Sequence, residues 1–145
     1  MKTSIRWRSA FSAALGLAVL ASCSSTPSHP LSTSRAVPAA EGTVSVRKDS
    51  NQNTDLTIEV KHLAPADRLA VGASTYVVWL TPQGGTKKPQ NLGSLAVNKN
   101  LNGKLTIITP HQSFDLFVTA EPSVNTPQPT GERVLWTQVN ERKTG

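Results

Sequence analysis

The stretch Asp55-Leu56-Thr57-Ile58-Glu59-Val60-Lys61 sets Leu56, Ile58 and Val60 against four polar neighbours at strict period two. That pattern marks a strand with one face in a core and the other in water. Upstream, Val44 and Val46 alternate with Thr43, Ser45 and Arg47 in the same way. Downstream, residues 76–80 (Tyr-Val-Val-Trp-Leu) are apolar on both faces, as expected of a strand central to a two-layer core. Residues 92–97 and 104–109 flank Asn98-Lys99-Asn100-Leu101-Asn102-Gly103, whose Asn-Gly pair predicts a hairpin turn. Residues 113–120 and 133–140 complete a set of seven strands, punctuated by Pro82-Gln83-Gly84-Gly85 and by the proline-rich run 122–131. No window longer than about six residues carries a 3.6-residue period, and residues 64–73 have room for one short helical turn. The pattern predicts an all-β domain over 42–140, a seven-stranded antiparallel immunoglobulin-like β-sandwich, followed by a short tail, 141–145.

Ahead of this domain stands a different kind of sequence. Lys2, Arg6 and Arg8 precede an uncharged run over 10–20, and small residues lead to Cys23, the only cysteine. This is the layout of a secretory signal. Its apolar run is too short for a membrane span, which needs about 20 residues. The tetrad Leu20-Ala21-Ser22-Cys23 resembles the lipobox of bacterial lipoproteins. The resemblance implies that residues 1–22 are removed, that the Cys23 thiol takes a diacylglyceryl group, and that the new amino terminus is acylated. One acyl chain anchors marginally, whereas two or more hold durably, each buried methylene adding about 0.8 kcal/mol. The expected location is therefore a bacterial cell envelope, periplasm-facing or surface-exposed, with membrane lipid as the partner of Cys23. Ser24 in place of Asp favours the outer over the inner membrane under the enterobacterial sorting scheme.

Between Ser24 and Ala40, ten of seventeen residues are Ser, Thr or Pro, without apolar periodicity. Such a stretch predicts a disordered tether over 23–41, with a reach of about 20 to 25 Å as a coil. Three of the fifteen basic residues precede Cys23, so twelve remain against nine acids and the mature net charge is +3. The basic residues are scattered among acids, which speaks against nucleic acid as a partner. With Cys23 acylated, no thiol remains for a disulfide, and burial and hydrogen bonding must hold about 100 residues together.

Two segments carry a family likeness. One is Tyr76-Val77-Val78-Trp79-Leu80-Thr81-Pro82-Gln83-Gly84-Gly85, followed by Leu92-Gly93-Ser94-Leu95. The other runs Val118-Thr119-Ala120-Glu121-Pro122 and closes on Pro127-Gln128-Pro129-Thr130-Gly131. Together they resemble the extracytoplasmic C-terminal domain of anti-sigma-K-type regulators, with its "Y-x-L-W-L" strand and "V-T-x-E-P-x-x-x-x-P-x-P-T-G" signature. The likeness covers roughly residues 56–139. Neither the sigma-binding cytoplasmic domain nor the membrane helix of those regulators is expected from this sequence, so the resemblance implies fold and outer location, not sigma binding.

Catalytic chemistry has little to stand on. Ser74, Ser94 and Ser113 lack a strained Gly-flanked elbow and a positioned base, so an enzyme is not expected. His29, His62 and His111 have no second ligand at metal spacing, and no metal or other cofactor is expected. An alternative role as a periplasmic small-ligand or metal carrier rests on His62 and His111 meeting in space, with Asp67 or Asp115. The candidate partner-binding residues are Trp136, which alternation leaves on a mixed face, and Glu121, Pro127, Pro129 and Thr130 of the stiff proline-rich loop. These favour a protein-interaction or sensing module with an envelope protein as partner.

Overall fold

The structure is a computed structural model that describes residues 26–84 and 88–140. The lipobox, Cys23 and the tail 141–145 lie outside the described residues. The strands in chain order are β1 (Ser28–Pro30), β2 (Ser32–Thr33), β3 (Glu41–Lys48) and β4 (Thr54–Lys61). After one helical turn, α1 (Ala66–Leu69), come β5 (Thr75–Pro82), β6 (Gln90–Leu95), β7 (Gly103–Thr109), β8 (Phe114–Glu121) and β9 (Arg133–Val139). All pairings are antiparallel. They build a four-stranded sheet in the order β1-β3-β4-β7 and a five-stranded sheet in the order β2-β9-β8-β5-β6.

Period two does what it predicts. Leu56, Ile58 and Val60 of β4 turn inward beside Val44 of β3, against Tyr76, Val78 and Leu80 of β5 and Phe114, Leu116 and Val118 of β8. Each such side chain, fully removed from water, contributes roughly 1.5–3 kcal/mol. The Tyr76 hydroxyl reaches the core rim and donates to the Ala64 carbonyl at 2.6 Å, which satisfies its one polar atom. In β9, a register shift opposite Val118 and Thr119 turns Val134 inward with Leu135, and leaves Trp136 and Gln138 on the outer face.

Two expectations are corrected. The described residues hold nine strands rather than seven, and the extra pair, β1 and β2, falls in the stretch expected to be a disordered tether. The chain crosses the open edge of the sandwich at Leu31, with β1 on β3 of one sheet and β2 on β9 of the other. Leu31, Val37 and Ala40 are buried in the main core. The Leu31 and Ser34 amides donate to the carbonyls of Gly42 (2.8 Å) and Val134 (2.9 Å). Three apolar residues at irregular spacing suffice here because each plugs an edge instead of forming a face, so no periodicity betrays them.

The second correction concerns residues 98–103. These do not join a two-stranded hairpin ladder, because β6 and β7 belong to different sheets and only Val97 and Gly103 bridge. The turn is built by the Asn98 side chain, which accepts from the amides of Asn100 (2.9 Å) and Asn102 (3.1 Å), with Leu101 at φ 61. Gly103 is needed for close approach: a Cβ there would lie 3.0 Å from the Ala96 carbonyl oxygen and 3.2 Å from Leu95 and Val60 side-chain carbons.

The registers fix the two ends of the sandwich. The β3–β4, β5–β6 and β7–β8 turns share one end, the base, where the described chain enters near Pro27. Residues 34–40, 62–74, 96–102 and 122–132 occupy the far end.

Candidate functional site

The outer face of the five-stranded sheet is not left to water. Alternation that sends Tyr76, Val78 and Leu80 inward sends Val77 and Trp79 outward, and β8 likewise presents Asp115, Phe117, Thr119 and Glu121 there. Val77, Trp79 and Phe117 form a second, small buried cluster. The Trp79 and Phe117 rings are stacked with centroids 6.5 Å apart and planes 18° from parallel, an offset contact favoured by their quadrupoles.

A polar relay ties this cluster to the proline-rich crossover between β8 and β9. The Trp79 indole Nε1–H donates to Thr119 Oγ1 at 2.9 Å, and the Thr119 hydroxyl donates to Glu121 Oε1 at 2.5 Å. Glu121 Oε1 also accepts from the amides of Thr130 (2.9 Å) and Gly131 (3.2 Å), while Oε2 accepts from the Thr130 hydroxyl at 2.5 Å. The carboxylate is fully buried. Burial pushes its pKa up, and the hydrogen bonds from Thr119, Thr130 and Gly131 outweigh that and hold it below the usual glutamate range. Gly131 passes so near β8 that a Cβ would lie 2.5 Å from the Ala120 carbonyl oxygen.

The rest of the loop is pinned as well. Ser74 Oγ donates to the Pro122 carbonyl at 2.8 Å. The Asn91 side-chain amide on β6 donates to the carbonyls of Val124 (2.9 Å) and Thr126 (3.1 Å). Thr126 turns its hydroxyl onto the Ser123 carbonyl at 2.7 Å and is itself buried. The crossover is therefore tied down at Ser74, just ahead of β5, and at Asn91 on β6, the residue paired with Trp79.

The sequence-derived site residues separate into two groups. Glu121 and Thr130 meet, but inside the clamp, so the Glu121 carboxylate presents nothing to a partner. Pro127 is exposed and Pro129 half-buried on the held loop. Trp136 lies on the same sheet face, opposite Phe117 on β8 and Ser32 on β2, with 38 % of its surface exposed. His62 follows β4 at the far end, whereas His111 lies beyond β7 at the base, where its ring meets Gln90 at 3.4 Å. The two do not converge, and among the described residues no three His, Cys, Asp or Glu side chains gather as metal ligands.

Sequence reading offered Asp115 as a neighbour of His62 or His111 and did not single out Arg133. The Arg133 guanidinium lies over the Phe117 ring, 4.2 Å from its centroid, and Asp115 accepts from Gln138 at 3.0 Å. Both line an open depression of about 450 Å³ walled by Thr81, Pro82 and Pro89.

These features define an antiparallel β-sandwich whose β8–β9 crossover is clamped and whose five-stranded sheet leaves Trp136 exposed on its outer face. A scan against protein-family models finds no match to this chain, and a search of the curated proteins finds none.

Proposed function

We propose that this protein is a bacterial lipoprotein, anchored in the cell envelope through acylated Cys23, whose domain is a non-enzymatic protein-interaction or sensing module. The domain is read as an immunoglobulin-like sandwich related to the outer domain of anti-sigma-K-type regulators. One observation carries this reading: the signature residues Thr119, Glu121, Thr130 and Gly131, spread over thirteen positions, meet in a single hydrogen-bonded clamp. A motif whose members serve one structural purpose is a better mark of kinship than scattered identities. The order β9-β8-β5-β6 also matches the G, F, C and C′ strands of an immunoglobulin-like sheet. Trp136, exposed on the outer face of a hydrogen-bonded sheet, suits a docking contact because little conformational entropy is lost on binding.

In-cell crosslinking of the full chain, followed by mass spectrometry, tests this reading. One enriched envelope protein, lost with Cys23→Ala and weakened with Trp136→Ala, is the expected result. No enrichment over the Cys23→Ala control would sink it.

A second reading, a small-ligand carrier, is favoured by the depression holding Arg133 and Asp115. Its charges of both signs suit a small zwitterion, and calorimetry with free amino acids decides it. Heats that persist unchanged in Arg133→Gln would dismiss the idea.

A further inference from the structure

We infer that the base of the sandwich, the end bearing the β3–β4 and β7–β8 turns, is held directly against the lipid surface, with the clamped loop pointing away from it. The inference rests on the lipid-anchor reading above and adds an orientation to it. The sequence alone allows a tether of seventeen residues. The structure shortens it: the Pro27 carbonyl already accepts from the Val46 amide at 3.0 Å, and β1 follows at Ser28. Only four residue steps separate Pro27 from Cys23, at most about 14 Å of extended chain. Because β1 runs antiparallel to β3, the chain enters on the side of Val46 and Lys48, which is the base.

The leash joins the domain at the level of Val46, and the five residue steps from there to Glu41 at the far end of β3 span about 17 Å, more than the whole remaining leash. A domain held that close, at its lower end, cannot turn its far end down without lengthening the leash. Charge neither drives nor opposes the contact: Arg47, Lys48 and Lys88 stand at the base with Asp49, Asp55 and Asp115. The Asp49 carboxylate is engaged by the amides of Asn51 (2.7 Å) and Asn53 (2.9 Å). Length, not charge, carries the orientation. It leaves the proline-rich loop at the far end, where a partner reaches it without competing with the membrane.

The test uses the lipidated full chain in vesicles of phosphatidylethanolamine and phosphatidylglycerol that carry a headgroup quencher. A fluorophore is placed on Ser50→Cys at the base or Lys99→Cys at the far end. The expected result is several-fold stronger quenching at Ser50→Cys, and loss of that contrast when a long Gly-Ser linker is inserted after Ser24. Equal quenching at both positions in protein that floats with the vesicles would overturn the orientation while leaving the anchor intact. Failure of the chain to float, as expected only of Cys23→Ala, would overturn the anchor and the orientation together.

Discussion

Thr130 gives Glu121 two hydrogen bonds across nine positions of sequence, one from its hydroxyl and one from its amide, and so closes the crossover loop onto the strand it leaves. A buried carboxylate is tolerated because every bond it needs is met locally, by hydroxyls and amides instead of a cation. Glu121→Gln keeps the shape but removes the charge that strengthens all four hydrogen bonds, and its NH₂ in place of Oε2 forces the Thr130 hydroxyl to turn from donor to acceptor. Hydrogen bonds to charged groups contribute about 1.5–3 kcal/mol each, so the variant is expected to lose about 2–4 kcal/mol. Urea unfolding followed by fluorescence reads this, and a loss under about 0.5 kcal/mol, the range of an ordinary surface change, would contradict the clamp.

The same carboxylate makes stability depend on pH. Its folded pKa is depressed relative to the ordinary glutamate value of 4.5. The unfolded chain therefore binds the proton more readily, and the stabilisation is present above about pH 4.5 and lost as pH falls through the folded value. Glu59, hydrogen-bonded by Lys104 on the surface, shifts in the same direction. Acid titration of unfolding free energy is expected to show a decline below about pH 4.5 that is shallower in Glu121→Gln than in the native chain. Parallel curves for the two would remove Glu121 as its source.

Gly131 offers a purely steric counterpart. An added methyl would sit 2.5 Å from the Ala120 carbonyl oxygen, so Gly131→Ala must move the loop or the strand. Overpacking of this kind costs about 1–3 kcal/mol. A lower Tm with changed Trp79 fluorescence is the expected outcome, and an unshifted Tm would show that the loop gives way freely.

Much of this was legible in the sequence, and what was not has a physical reason. The strands β3 and β4 follow from alternation because each presents one face to a large core. Residues 76–80 read as apolar on both faces for the right cause, burial on both sides. Glu121 and Thr130 were legible as members of a motif but not as partners, since a contact nine residues apart through a loop leaves no periodic trace. The placement of Trp136 followed from alternation. That of Val134 did not, because a bulge in β9 breaks the period at that residue.

The two tryptophans of the sheet should behave oppositely. Trp79 is buried and donates to Thr119, so Trp79→Phe removes both volume and a hydrogen bond. A loss of about 1–3 kcal/mol is expected. Trp136→Ala, at a position 38 % exposed, is expected to cost less than about 1 kcal/mol while weakening partner capture in the crosslinking assay. Thermal unfolding and acrylamide quenching of the two variants separate these roles; a Trp136→Ala loss as large as that of Trp79→Phe would make Trp136 a packing residue.

Leu31 distinguishes a folded edge from a tether most directly. In a disordered linker, Leu31→Ala would leave stability unchanged. Here the side chain is buried, and it lies so close to Gly42 that a Cβ on that glycine would sit 2.6 Å from Leu31 Cδ1. Truncation of a buried leucine costs about 2–5 kcal/mol, less where neighbours can close the gap, and an edge site collapses more easily than a central one. The expected loss is therefore near the low end, about 2 kcal/mol. Hydrogen exchange supplies the local readout: the Leu31 and Ser34 amides, bonded to Gly42 and Val134, should be protected in the native chain and lose protection in the variant. Unprotected amides in the native chain would return residues 28–40 to the tether and lengthen the leash that sets the domain's orientation.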